Sequence, residues 1–171
     1  MTSQSLEHKI YNVQTEKDHD AQKIIDAMIT FKRASKKQFM KFYDFVYEMP
    51  EDIAIQKAEK LYSLTDKGNK FIENILSSGF LDKIDPYDRT NIVRMYAHSL
   101  LHASDIKRFL ANHYHLDGAL DIAEENLNKA IKFNSKLDMN NDKDRGFMAL
   151  LKEKRAHLYS EKSTIKANRS L

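Results

Sequence analysis

Only four glycines and two prolines punctuate 171 residues. Sandwiches and barrels of strands turn every few residues and need many such breakers, so an all-β fold is excluded. Long unbroken runs rich in Ala, Leu, Lys, Glu, Asp and Ile are helix-forming. The expected fold is therefore all-α, a compact bundle of six or seven helices, its C-terminal part built round a helical hairpin. Apolar residues at 42% and charged ones at 31% suit one folded domain able to bury a core without staples. The absence of cysteine removes disulfides, thiolate catalysis and cysteine-based zinc or iron–sulfur sites. No apolar run approaches the ~20 residues of a membrane span. The first twenty residues are polar and lack the apolar stretch of a secretory signal, so a cytoplasmic location is expected.

Three parts are expected: a polar N-terminal arm (1–17), a single helical domain (18–161) and a basic tail (162–171). Gly79 and Asp85-Pro86 divide the domain into possible halves, 18–80 and 86–161. Ile24, Ile25, Met28, Ile29 and Phe31 recur at three- and four-residue steps, predicting a helix that ends near Arg33. Ser35 then suits the N-cap of a second helix over 36–48. Phe39, Phe42, Tyr43 and Val46 form one face of it, whereas Met40, Phe45 and Tyr47 lie off that face. Its plain reading is a central helix of the bundle; its functional reading makes Met40, Phe45 and Tyr47 a partner-binding surface. Arg33, Lys37 and Lys41 follow at four-residue steps. They form a ridge that is either a solvated lysine face or a track for phosphates.

Pro50, Glu51 and Asp52 mark the start of the next helix, read over 53–65. Tyr62-Ser63-Leu64-Thr65-Asp66-Lys67-Gly68 also resembles the exit from the wing in winged-helix regulators of the MarR and PadR kind. That resemblance implies two short strands, 53–57 and 60–64, and a helix over 69–78. Gly79 suits the left-handed position that ends a helix, and Asp85-Pro86 the cap and first residue of the next.

From Pro86, Ile92, Val93, Tyr96, Leu100 and Ala103 share one helical face, with Arg94, His98, His102 and Asp105 opposite. His98 and His102 at i, i+4 with Asp105 one turn on have metal-ligand spacing. His113 stands roughly 16 Å further along a straight helix than His102 and adds nothing to that set. No other helix offers a partner, so neither a metal nor a cofactor is expected. Carrying this helix onward would put Lys107 in the core face, which predicts a break near Ser104. Restarted there, Leu110, Ala111, Tyr114, Gly118, Leu120, Ala123, Leu127, Ala130 and Ile131 resemble a single tetratricopeptide unit over 104–137. Small residues let two antiparallel helices approach, and Gly118 permits the turn. The pattern does not repeat at about 34 residues, as stacked units would. Arg108 and His113 also have the Arg-x4-His spacing that resembles the HEPN ribonucleases. That resemblance implies phosphate stabilisation by Arg108 and acid–base work by His113.

A last helix is expected from Asp142 or Asp144 to about Ser160, with Phe147, Leu150, Leu151 and Leu158 inward. From Lys143 onward bases outnumber acids, and Arg145, Lys152, Arg155 and Lys162 are the nucleic-acid candidates beside the 33–41 ridge. No phosphate loop, metalloprotease motif, serine elbow or calcium loop occurs. The functional expectation is a small, non-enzymatic helical interaction or regulatory protein with a protein partner or a second copy of itself. A nucleic-acid-binding regulator and a HEPN-like ribonuclease are the alternatives.

Overall fold

A computed structural model describes residues 3–168, and the side chains of 21–167. Five helices carry the fold: α1 (Ser3–Phe45), α2 (Glu51–Ser77), α3 (Pro86–Tyr114), α4 (Ala119–Asn134) and α5 (Asp142–Asn168). Short 3-10 segments, Val46–Glu48 and Phe80–Lys83, lead out of α1 and α2. Among the described residues there is no strand, and no helix is long and apolar enough to cross a membrane. The expected arm over 1–17 falls on positions whose side chains are not described. The expected tail is partly within α5, and residues 169–171 lie outside the described part.

Five helices replace six or seven because three expected breaks do not occur. Serine and glycine end helices when they face solvent, but here all three are turned toward another helix. Ser35 is buried on the inward side of α1 and caps nothing. Gly68 lies inside α2 with the Phe31 ring of α1 against it, where any Cβ would strike that ring. The glycine thus makes room for a close helix approach, at a cost in intrinsic helix propensity of about 1 kcal/mol. Residues 53–64 are helical, so the two strands implied by the winged-helix resemblance are not formed. Ser104 donates its hydroxyl to the Ala123 carbonyl of α4 at 2.8 Å, which fastens two helices rather than starting one. Lys107 does face inward, and its charge is met there. Its Nζ contacts both carboxylate oxygens of Glu59 at 3.0 Å and sits 4.2 Å from the centre of the Tyr62 ring.

The turn signals stand where the sequence puts them. Gly79 and Gly118 adopt left-handed φ of 72° and 73°. Asp85 caps α3 by accepting from the backbone N–H groups of Tyr87 and Asp88, with Pro86 in the first turn. His115 takes a second left-handed position, φ 54°, so two such residues reverse the chain between α3 and α4.

The central helix is α3, not the 36–48 stretch. It packs against all four other helices, most extensively against α4. Ala111, Ala123 and Ala130 are buried along that seam, and Leu127 is fully enclosed. Short connections alternate the helix directions, up for α1, α3 and α5 and down for α2 and α4. Two apolar clusters fill the bundle. One gathers Ile25, Met28, Ile72, Tyr96, Leu100, Leu127 and Leu151. The other, at the end where α1 finishes and α2 begins, gathers Phe42, Val46, Ala58, Leu61, Ile106, Phe109 and Leu110.

The polar side of α3 is covered rather than solvated. Arg94 forms a two-pronged pair with Asp144 at 2.6 and 2.7 Å, and Arg108 another with Glu161 at 3.1 and 2.6 Å. Between them the His98 ring stacks on Phe147 at 3.7 Å, and Asp105 accepts from Lys154 at 3.1 Å. Asp144, Phe147, Lys154 and Glu161 recur on one face of α5, so matched charges set its register on α3. Leu151 and Leu158 of α5 are fully buried, while Leu150, expected inward, is exposed.

Candidate functional site

Two stretches of the α1–α3 contact differ sharply. From Phe39 to Val46, α1 meets α3 through aromatic rings. Phe42 and Phe109 pack edge to face at 5.4 Å, and Tyr43 lies 5.5 Å from Phe42 and 5.9 Å from Phe109. Tyr43 also donates its hydroxyl to the Asp105 carbonyl at 3.2 Å. Burial, with Asp105 nearby, raises the Tyr43 phenol well above its ordinary value. This phenol stays neutral and serves as a hydrogen-bond donor.

One to two turns earlier the contact opens into a groove of about 150 Å³, lined by Lys32, Ser35 and Lys36 from α1 and His98, Ser99 and His102 from α3. The inward stripe of α1 passes from Met28 through Ser35 to Phe42, so a serine falls between the two apolar clusters. Ser99 makes the same substitution on α3. Both hydroxyls are buried and neither has a hydrogen-bond partner. His98 is pushed down to about 4 by burial first and by Lys32, His102 and Lys36 next. His102, stacked on Phe39 at 4.4 Å, is lowered by burial against an opposing pull from Asp105. Lys32 is lowered by burial and by Lys36. Four nitrogen bases are thus crowded together, and no acid lines the groove.

These surroundings bear on the metal-like trio. His98, His102 and Asp105 do follow one side of α3, but Asp105 is engaged by Lys154, and the lysines of α1 oppose a cation. Among the described residues no group of three or more His, Asp or Glu side chains can hold a metal ion. Arg108 and His113 diverge around the helix. Arg108 turns to Glu161 of α5, whereas His113 is exposed at the aromatic end, 4.6 Å from Phe109 and 5.8 Å from Tyr47. One phosphate could not meet both side chains as they stand.

The proposed partner-binding residues lie at that aromatic end. Met40 is 51% exposed, Phe45 53% and Tyr47 72%, while Phe42 and Val46 beside them are buried. Of the basic candidates, Arg33, Lys37 and Lys41 are exposed along α1, and Lys152 is exposed on α5. Arg155 is half-buried. Arg145 pairs with Asp142 on its own helix, and Lys162 bridges Asp121 and Glu124 of α4. The C-terminal bases are therefore partly neutralised, and those of α1 form the stronger positive surface.

Lys32, Lys36 and Ser99 were not singled out in the sequence, and Ser35 was read only as a helix cap. One signal could have found the lysines: between Asp26 and Asp44 there is no acid, while Lys32, Arg33, Lys36, Lys37 and Lys41 all fall in that interval. Nothing local pairs them with His98 and His102, because that pairing is made by tertiary packing. A larger cavity, about 770 Å³, lies elsewhere, between the α3–α4 turn and the end of α5, with Ala111, Leu116, Leu120 and Ile165 in its wall. Compared with protein-family models, with curated proteins and with solved structures, the chain matches none.

Proposed function

We propose that this protein is a non-enzymatic helical interaction protein that presents the end of α1 and the turn after it to a protein partner, a second copy of the chain being the first candidate. The observation that carries this reading is the exposure of Met40, Phe45 and Tyr47 beside a filled aromatic cluster. Single exposed apolar residues are ordinary, but three large ones within eight positions, on a rigidly packed base, form a surface suited to burial. Aromatic residues and methionine are also the types enriched where protein surfaces meet. Light scattering after size exclusion tests the reading. Self-association that disappears in a Met40→Ser/Phe45→Ser/Tyr47→Ser variant with unchanged helicity supports it. A strict monomer across the accessible concentration range argues against the second copy. If the triple substitution also leaves binding to every identified partner intact, the reading fails.

A nucleic-acid-binding role is the second reading, favoured by the acid-free interval of α1 with its five bases. It needs no wing, since a helix ridge alone can follow phosphates. Phosphate contacts impose a steep salt dependence, so titrations of Arg33→Gln/Lys37→Gln/Lys41→Gln and of the unaltered protein at two salt concentrations decide it. Equal binding by both proteins removes the ridge from consideration.

A further inference from the structure

The groove between α1 and α3 has the chemistry of an anion site, and it is independent of the aromatic surface. Buried hydroxyls without partners cost free energy, roughly 1–3 kcal/mol each, and are uncommon in folded proteins. Of the three such hydroxyls among the described residues, two, Ser35 and Ser99, sit on facing helices and line the same space, whereas the third, on Tyr96, lies in the core away from it. Around them Lys32 and Lys36 stand one turn apart on α1, and His98 and His102 one turn apart on α3. The imidazoles are fixed by stacking on Phe147 and Phe39, which orients the rings without using their nitrogens. Asp105, the nearest acid on α3, is held by Lys154 and lies outside the lining.

We infer that this groove binds a phosphoryl dianion, either free inorganic phosphate or the terminal group of a small phosphomonoester. The donor set favours a tetrahedral oxyanion over a carboxylate. Six side chains converge from two sides, and only a group with several acceptor oxygens meets most of them at once. The sign of the charge excludes a metal cation, because both lysines repel it. Size selects the ligand further: drug-sized ligands occupy about 300–1,000 Å³, so a 150 Å³ space takes one phosphoryl group and leaves the rest of the molecule outside. An anion also relieves the mutual repulsion of the two lysines and supplies acceptors to both serines. Burial first, and the neighbouring bases second, depress the basicity of His98 and Lys32.

The test uses the full chain in a phosphate-free buffer. Calorimetric titration with inorganic phosphate, and separately with glycerol phosphate, is expected to show saturable binding of one equivalent by at least one of them. Lys32→Gln/Lys36→Gln is expected to weaken it by about tenfold or more. Both lysines are exposed, so the variant keeps the fold, checked by its helicity and melting temperature without ligand. The imidazole nitrogen resonances of His98 and His102 in the unaltered protein give a second readout, expected to shift on saturation. Saturation by inorganic phosphate alone marks a free-ion site, and equal saturation by both ligands marks a phosphomonoester site. Either result supports the proposal. No saturable binding, unchanged affinity in the double variant, or histidine resonances that stay in place overturns it. Tighter binding of a short oligonucleotide than of either small ligand, lost in the same double variant, overturns it in favour of nucleic acid.

Discussion

The same two helices make a filled contact in one half and an unfilled one in the other. Around Phe42 and Phe109 the inward side chains of α1 meet rings, and the half-buried phenol of Tyr43 has its acceptor. Around Ser35 and Ser99, two buried hydroxyls have none, and four basic groups face one another. Packing that optimised stability alone would place an aliphatic residue at each serine. The contrast separates a half that holds the helices together from a half whose free-energy cost makes sense if something binds there.

The largest perturbation of this contrast is Phe109→Ala. Phe109 is buried among five rings, and its removal is expected to lower unfolding free energy by about 3–5 kcal/mol, measured by urea denaturation. A loss below about 1 kcal/mol would mean that the aromatic half does not hold the helices together.

The polar half should instead control the response to acid. His98 has an ordinary value of 6.5 and is held near 4 when folded, so between those limits the unfolded chain binds a proton that the folded chain refuses. Stability is therefore complete above about pH 6.5, falls as the pH drops, and stops falling on this account below about 4. His102 acts in the same direction. One fully differential proton gives a slope of about 1.4 kcal/mol per pH unit, and solvent at these half-buried rings keeps the real slope smaller. Denaturation series of the unaltered protein and of His98→Gln from pH 7 to pH 4 check this, the variant showing the shallower loss. Parallel curves would place the acid sensitivity elsewhere.

The smallest expected effect is the sharpest, because it predicts opposite signs for one chemical change. Ser104 has a partner across the α3–α4 seam, so Ser104→Ala is expected to cost about 1 kcal/mol. Ser35 has none, so Ser35→Ala is expected to be neutral or to stabilise by up to about 1 kcal/mol. Thermal unfolding of the two variants side by side gives the comparison. A destabilised Ser35→Ala would mean that its hydroxyl is already satisfied in the folded protein.

Local signals in the chain announced the helix ends that local chemistry makes. Gly79, Asp85-Pro86 and Gly118 act through their own backbone geometry, so they read correctly. Ser35, Gly68 and Ser104 look like breaks because serine and glycine are poor helix formers in solvent. Tertiary neighbours overrode that preference, and none of the neighbours adjoins them in sequence. Lys107 shows the same limit, since Glu59 and Tyr62 make an inward lysine tolerable. The exposed Met40, Phe45 and Tyr47 were legible because they departed from the helical stripe. Half of the groove was legible too, as the spaced histidines. Its other half lies on α1, and the cover that α5 lays over the polar side of α3 was not legible, because periodicity does not reveal that a charged face has a charged partner.

The joint between α3 and α4 has one further consequence. Ser104 and Ala123 are nineteen positions apart, whereas Arg94 reaches Asp144 across fifty and Tyr43 reaches Asp105 across sixty-two. Closing a short loop loses less chain entropy, so the α3–α4 pair, the most extensive helix contact, is the natural nucleus for folding, with α1 docking onto α3 afterwards. On that order, substitutions at Leu127 slow folding, whereas those at Tyr43 mainly speed unfolding. The helix that completes the groove would then be among the last to arrive and the first to leave.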